Sequence, residues 1–312
     1  MIVPILAYNN WTWVRIDAAT QQEINEIPNI PLASKRWAMS LAEHQNSNLE
    51  MNGTEEGKES MWGSVIYSQN VEVRSEKAIL HYYLTKDTLV TSGIDPTFFT
   101  GASEQQVLKY MDKAEDAIEG FMVLIGEITN MFLQEIECFE DRMHDLLWSV
   151  KAKNDEPVFE QIMDNRFEIL VWKNLIIPFM EIQEATVEAF GDTILDGYFY
   201  KRTCRRIRRC RQTIREFNEE IGQLVDLESI IASYRGNEIV KTLTVITMLF
   251  TPVAAWGALW GMNFKFMPEL DWKYGYVGAI LVIVLSTWGL YYYLRKKHWI
   301  GSVLNSSKDK NF

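Results

Sequence analysis

The chain has 312 residues, a formal net charge of −11, a sequence pI near 5.0 and a mean hydropathy of −0.13. This length is typical of about two domains. Its three cysteines are an odd number and form no C-x-x-C pair, which is typical of reduced cytosolic thiols rather than of a disulfide framework or a zinc site. No nucleotide-binding motif, H-E-x-x-H motif or nucleophile elbow occurs, so we expect no enzyme, no cofactor and no nucleic-acid partner. The first residues lack a basic n-region and a small-residue cleavage site, so we expect no signal peptide.

Residues 1–100 predict a mixed α/β domain. Runs of β-branched and aromatic residues bounded by polar turns predict four strands, "MIVPILAY", "WTWVRIDA", "WGSVIYSQ" and "AILHYYLT". Two segments with helical spacing, 18–27 and 31–44, lie between the second and third of these strands. The polar stretch at 43–60 is predicted to be a loop.

Residues 101–190 predict an acidic pair of long helices joined near "KAKNDEP", with Pro157 in the first turn of the second helix. From Glu104 to Glu188 the chain has 19 acidic and 7 basic residues. This excess is typical of a solvated helix face. It also fits a negative surface that concentrates cations near the inner mouth of a pore. The sequence leaves both interpretations open.

Residues 191–236 predict a stalk helix that continues into the next segment without a break. Apolar side chains recur along it at spacings of three and four, which is a heptad-like seam suited to packing copies side by side. The seam consists of Ile207, Cys210, Ile214, Phe217, Ile221 and Leu224. Residues 201–215 also hold eight basic side chains and no acidic one.

Two uncharged runs, Leu243 to Trp260 and Tyr274 to Leu294, are each long enough to cross a bilayer as a helix. They predict transmembrane helices over 237–262 and 274–294, joined by an extracellular loop at 263–273. The tail at 295–312 begins with the basic cluster "RKKHW". By the positive-inside rule this tail is cytoplasmic, and two spans return the N-terminal part to the same side. We therefore expect a multi-pass protein of the plasma membrane with both termini in the cytoplasm.

The first predicted span has one stripe of small or hydroxylated residues and an opposite stripe of bulky ones. The threonines of the first stripe could simply donate to their own helix backbone while small residues ease helix packing. Alternatively, the stripe lines a wet pore formed by several copies of the helix. Its members are Asn237, Val240, Thr244, Thr247, Thr251, Ala254 and Ala258, and the opposite face holds Val245, Ile246, Leu249, Phe250, Val253, Trp256 and Trp260.

The stretch "NEIVKTLTVITMLFTPVAAWGALWGMNFKFMPELDWKYGY", residues 237–276, resembles the CorA family of magnesium transporters. Gly261, Met262 and Asn263 match the signature tripeptide of that family, and "MPEL" follows at the family's spacing. The "KTLT" of residues 241–244 and the Phe-x-Pro of residues 250–252 also match motifs of the family. The resemblance implies an α+β membrane protein that forms a homopentameric funnel. In this funnel the N-terminal α/β domain is cytosolic, the long helical stalk is continuous with the first transmembrane helix, and that helix lines one central pore.

The resemblance implies that Gly261, Met262 and Asn263 form the ion-selectivity loop, with Asn263 binding the water shell of a hydrated ion. Gly261 can adopt the left-handed conformation that ends a helix and allows close approach of neighbouring backbones. Glu269 adds negative charge at the mouth, which Lys265 and Lys273 offset.

Other pore positions carry over from the family one by one. Asn237 matches a polar ring at the cytosolic end, and Val240, Leu243 and Thr247 match positions around a hydrophobic gate. Two positions depart from the pattern: Thr251 stands where the family often has a large apolar residue, and Ala254 where it often has Thr. The basic run at 201–215 replaces acidic residues that sense Mg²⁺ in members of the family, so we expect no such sensing site there.

The function expected from these features is passive transport of divalent cations, most of all Mg²⁺, with Co²⁺ and Ni²⁺ also passing, driven by the membrane potential. The partners implied are other copies of the chain, the divalent ions and the lipid bilayer. A zinc-preferring relative of the family is one alternative. Another is a non-conducting, membrane-anchored scaffold or sensor, which would need no Asn263.

Overall fold

The computed structural model describes residues 5–8, 10–16, 37, 41, 45–53, 57–73, 75–94, 104–152, 156–262, 265, 267–268 and 272–299. The chain divides into two compact units, Met1–Leu224 and Val225–Phe312. An α/β region, a long helix whose last part is apolar, and a second apolar helix follow one another along the chain, as the sequence predicts.

The first unit contains a six-stranded sheet in the described part of the chain. The strands are β1 (Ile5–Ala7), β2 (Thr12–Ile16), β3 (Asn48–Asn52), β4 (Ser60–Gln69), β5 (Lys77–Thr85) and β6 (Thr88–Ser92). Their order is β1-β2-β6-β5-β4-β3, and all neighbours are antiparallel except β2 and β6.

Four of these strands match the predicted runs, whereas β3 and β6 were not predicted. Strand β3 is an edge strand with two terminal asparagines, so its sequence resembles a polar loop. Strand β6 follows β5 after a two-residue turn at Lys86 and Asp87. The predicted helices at 18–27 and 31–44 lie outside the described residues, apart from Trp37 and Leu41 in the second.

The part of the chain that the structure describes then contains five long helices: α1 (Glu104–Lys113), α2 (Ala117–Ala152), α3 (Glu156–Phe190), α4 (Tyr198–Trp260) and α5 (Gly275–Lys296). The predicted pair at 101–190 is therefore preceded by a separate, shorter helix. Asp116 accounts for the break, because its carboxylate accepts the Glu119 backbone N–H at 2.8 Å and so caps the start of α2.

The core of the first unit lies between the sheet and the helices. Helix α2 packs against β5 and β6, and α3 packs against β3 and β4. Tyr82 and Phe121 contact each other in this layer with tilted rings whose centroids lie 4.8 Å apart, and both side chains are fully buried. The Trp11 indole donates to the Ala114 carbonyl at 3.1 Å, which ties the first strands to the start of α2.

The long helix α4 begins at Tyr198, later than the predicted start at Gly191. Gly191 has a positive φ of 84° and ends α3, and a 3₁₀ turn over Asp192–Asp196 follows before α4 starts. The Glu119 carboxylate accepts the Phe199 backbone N–H at 3.1 Å, which satisfies one of the free donors at the start of α4.

The apolar seam of the stalk packs inside its own chain, which corrects the expectation that it joins copies. Each seam side chain is buried, from Ile207 to Leu224. Phe217 lies edge-on to Phe139 of α2 at 5.4 Å, and Phe139 in turn meets Trp172 of α3. A seam of this period can pack against any neighbouring helix, and in this chain α2 and α3 are those neighbours.

The second unit contains the end of α4, from Val225, and all of α5. Val245 and Leu294 are buried together, with Leu249, Leu290 and Tyr291 packed around them. The apolar windows of the two helices have mean hydropathies of 1.6 and 1.8, and only 6% of each window is buried. A core helix of a soluble protein is mostly buried, so these two helices are the membrane-spanning candidates among the described residues.

Candidate ion pathway

All the pore positions predicted before Gly261 lie on the part of α4 that belongs to the second unit. Val240 and Leu243 are 62% and 63% exposed in the single chain, and Thr244 is half-buried. The remaining members are also exposed, namely Asn237, Thr247, Thr251, Ala254 and Ala258. A helix face that its own chain leaves uncovered is available to line a space shared with other copies.

The opposite side of α4 is partly covered by α5. Val245 and Leu249 contact α5, and each lies two positions before a threonine of the small-residue stripe. Two residues correspond to about 200° around a helix, so these contacts place α5 on the side away from Thr247 and Thr251.

The threonine hydroxyls bond to their own helix. Thr244, Thr247 and Thr251 each donate to the carbonyl four residues earlier, all at 2.8 Å. These threonines therefore make the hydroxyl-to-backbone hydrogen bond that is common for threonine in any helix. A hydroxyl oxygen that donates its proton still has lone pairs, so it can accept a hydrogen bond from water on the open side.

Helix α4 ends at Trp260, directly before the signature tripeptide. The Gly261 backbone N–H donates to the Gly257 carbonyl at 2.9 Å, and that of Met262 to Leu259 at 3.4 Å. Gly261 does not have the left-handed φ that the sequence suggested. Its small size matters for another reason, because a Cβ at this position would lie 2.9 Å from the Gly257 oxygen. Asn263 and Glu269 lie outside the described residues.

Aromatic rings surround this end of the two helices. Trp256 and Trp260 stack at 5.2 Å, and Trp272 meets Tyr274 edge-on at 6.3 Å before α5 begins. Tryptophan and tyrosine are enriched where a membrane helix meets the interface. The rings therefore mark one boundary of the membrane-spanning region near Trp260.

Basic groups collect at the other end. Arg295 and Lys296 occupy the last turn of α5, where cations interact favourably with the helix dipole. The Lys241 ammonium group of α4 lies 3.4 Å from the carbonyl oxygen of His298, just beyond that turn. In the sequence, Lys241 stands out only as part of the "KTLT" motif. Its contact with His298 could not be predicted, because it depends on how α4 and α5 pack.

The described residues contain no group of three or more His, Cys, Asp or Glu side chains arranged to hold a metal ion. Some of the described carboxylates and cations of 104–215 instead form ion pairs with each other. One such pair is Arg206 with Glu127, at 2.8 Å.

Residues 8–296 match the model of the family described as CorA-like Mg²⁺ transporter protein. The chain is also 39% identical over 305 residues to the magnesium transport protein CorA of Bacillus subtilis, covering 96% of this chain and 95% of that protein. The chain belongs to the CorA family. Homologues in this family are transporters rather than enzymes.

Two solved structures share the fold of this CorA-family chain. The CorA magnesium transporter of Methanocaldococcus jannaschii has a TM-score of 0.66 at 16% identity, covering 94% of this chain and 93% of its own. The full-length CmaX protein has a TM-score of 0.63 at 18% identity, covering 91% and 88%. Identities this low show the fold alone. The fold match covers the α/β region, the long helix and the membrane helices together.

Proposed function

We propose that this chain forms a homopentameric pore that lets Mg²⁺ enter the cytoplasm passively across the plasma membrane. The observation that carries the proposal is the whole-length similarity to the magnesium transport protein of Bacillus subtilis. The exposed small-residue stripe of α4, which ends directly before Gly261, supports the same function. Both termini are cytoplasmic in this proposal, and Co²⁺ and Ni²⁺ also pass.

The selectivity loop is formed by Gly261, Met262 and Asn263. Mg²⁺ sheds its water reluctantly and is usually bound with several waters in place. A ring of Asn263 side-chain oxygens, one from each copy, accepts hydrogen bonds from that water shell without holding the ion too tightly to release. Conduction requires binding of this moderate strength. Glu269 raises the local concentration of cations at the mouth, against the opposing charges of Lys265 and Lys273.

The remaining pore residues act in order along α4. Asn237 forms a polar ring at the cytosolic end. Val240 and Leu243, exposed and apolar, form a constriction that closes by excluding water. Beyond it, Thr244, Thr247 and Thr251 present hydroxyl oxygens, and Ala254 and Ala258 leave room for a hydrated ion.

The membrane potential supplies the driving force. A divalent cation gains roughly 4.6 kcal/mol per 100 mV, twice the value for a single charge. This is enough to concentrate Mg²⁺ inside the cell without ATP hydrolysis.

The test is ion flux into proteoliposomes that contain the purified full chain and a trapped divalent-cation indicator. We expect Mg²⁺ entry that rises when a potassium gradient and valinomycin make the interior negative, with slower entry of Co²⁺ and Ni²⁺. Entry of Zn²⁺ well ahead of Mg²⁺ would favour the zinc-preferring alternative. An absence of flux for all four ions from correctly assembled protein would favour the scaffold.

A further inference from the structure

A row of basic side chains lies on the side of α4 that faces away from its own core. Lys201, Arg205 and Arg209 are spaced four residues apart and are all exposed, whereas the seam on the other side is buried. Residues four apart lie one above another on a helix. Together with Arg202, Arg206, Tyr198 and Asn130 of α2, the row lines a cleft of about 550 Å³. We name Lys201, Arg205 and Arg209 the basic row.

The described part of the chain supplies few counter-charges to this cleft. Arg206 is paired with Glu127 at 2.8 Å, and both side chains are largely buried. Lys201 lies 2.9 Å from Asp196, but this pair is exposed and therefore weak. Neither Arg205 nor Arg209 forms an ion pair with another described residue. Counting the described residues alone, the cleft thus keeps a net positive charge and two guanidinium groups with free donors.

A matching row of carboxylates lies on α3. Glu181, Glu184 and Glu188 are spaced three and four residues apart, so they share one face, and all three are exposed. None of them forms an ion pair within the described part of the chain. We name these three residues the acidic row.

The two rows lie at the same level along α4. Val187 of α3 packs against the cluster that contains Tyr200 and Cys204 of α4. Further along, Glu181 lines the same cleft as Arg211. The segment 181–188 therefore runs beside 200–211. The basic row opens instead toward the cleft that includes Asn130 of α2.

We propose that the basic row of one copy binds the acidic row of the next copy in a ring. A closed ring of identical subunits brings two different surfaces of the chain together at each interface. The apolar seam of α4 is already used by α2 and α3, so it is not available for this contact. The outward rows of opposite charge, at one level, are complementary. This inference rests on the proposed ring of copies.

The test uses charge reversal in the full chain purified in detergent. One variant is Arg205→Glu with Arg209→Glu, a second is Glu184→Arg with Glu188→Arg, and a third combines all four changes. Native mass spectrometry follows the oligomer as NaCl is raised, and circular dichroism monitors helix content. A control, Lys109→Glu with Arg166→Glu, makes the same change of charge as the first variant at exposed sites outside both rows.

We expect each double reversal to weaken association by about tenfold or more, because like charges facing each other across an interface are strongly unfavourable. The combined variant should recover most of this loss, and helix content should be the same in all variants. The control should associate like the wild type. Chelation of divalent cations should leave the wild-type oligomer intact at low salt.

Three results would overturn the contact. The first is a combined variant no better associated than the double reversals, and the second is a control that loses as much. The third is unchanged association in Arg205→Glu with Arg209→Glu together with lost binding of inorganic triphosphate, which would make the cleft an anion site. If the wild-type chain still forms a ring and conducts Mg²⁺ in any of these cases, the contact between the two rows is refuted and the proposed function is not. A wild-type chain that conducts as a monomer would remove the ring itself.

Discussion

Arg206 and Glu127, 79 residues apart in sequence, form a largely buried ion pair with 2.8 Å between Nη1 and Oε1. The same guanidinium nitrogen donates to the Gly126 carbonyl at 2.8 Å. One turn earlier, the Thr203 hydroxyl donates to the Met122 carbonyl at 2.7 Å. A Cβ at Gly126 would lie 2.5 Å from the Thr203 oxygen, so the close approach of α4 to α2 requires glycine there. These contacts align the start of α4 with α2.

Removing one partner of this ion pair should destabilise the first unit strongly. Arg206→Ala leaves the Glu127 carboxylate buried without its partner, and breaking a buried pair in this way costs about 3 kcal/mol or more. Arg215→Ala is the matched control, since Arg215 pairs with Glu219 on the exposed surface of the same helix. We expect a clear fall in the thermal midpoint for Arg206→Ala and little change for the control. Equal falls in the thermal midpoint of the two variants would contradict the structural importance of the buried Arg206–Glu127 pair.

The carboxyl group of Glu119 should make stability depend on pH. Burial raises its pKa above the ordinary value of 4.5, with smaller contributions from Asp116 and Glu115, although hydrogen bonds from Phe199 and Glu115 oppose the shift. The folded chain therefore holds this proton more tightly than the unfolded chain. Its contribution to stability is present below pH 4.5 and is lost as pH rises through the folded pKa.

Glu119→Gln carries no charge and keeps an oxygen that accepts the Phe199 N–H, although it gives up the longer bond, at 3.4 Å, that Oε2 accepts from the Glu115 N–H. This variant should be more stable than the wild type near neutral pH, and the difference should vanish in acid. Thermal midpoints measured from about pH 4 to about pH 8 test this, since the range brackets the titration of a raised carboxyl group. Glu119→Ala should be less stable than Glu119→Gln throughout, because it removes the acceptor. A wild type that is more stable than Glu119→Gln at neutral pH would refute the argument.

Gly261 should tolerate no side chain. In Gly261→Ala the new methyl group would meet the Gly257 oxygen at 2.9 Å, which forces the end of α4 to shift just before the selectivity loop. Gly257→Ala is the control, because no atom outside its own turn of helix lies within 4 Å of a Cβ at that position. We expect most of the Mg²⁺ flux to be lost in the first variant and kept in the second. Normal transport by Gly261→Ala would show that the close contact is unimportant.

Asn263→Ala should abolish Mg²⁺ flux in proteoliposomes while the oligomer stays intact, because the ring of amide oxygens is lost and the apolar packing is not. Asn263→Asp should bind the ion more tightly and release it slowly, so it should conduct poorly and be blocked at lower Mg²⁺ concentrations. Native mass spectrometry of both variants controls for assembly. Undiminished flux in an assembled Asn263→Ala pore would remove this residue from the selectivity loop.

The orientation of the chain can be measured with an impermeant thiol reagent on intact cells. The background variant replaces Cys138, which is exposed, and the buried Cys204 and Cys210. A cysteine at Lys273 should react from outside, and one at Asn305 should react only after the cells are opened. The reverse pattern would place both termini outside and the proposed selectivity loop on the cytoplasmic side.

The sequence by itself determined the membrane helices, because an uncharged run of this length is a local property that needs no knowledge of other segments. The same holds for the small-residue stripe, whose period places Thr247 and Thr251 on one face of α4, and for the signature tripeptide that indicated the family. Asn263 and Glu269 lie outside the described residues, so their roles stay predictions.

Only the tertiary structure decided which surfaces meet. The seam from Ile207 to Leu224 has a period that suits a neighbouring copy or a neighbouring helix equally well, and the packing of α2 and α3 selected the second. Strand β3 was missed because a polar edge strand is defined by its hydrogen bonds to β4 rather than by its own pattern. The partners of the basic run could not be read from spacing either. Arg206 finds Glu127 because α2 and α4 lie side by side, while Arg205, its neighbour in sequence, points to the open side.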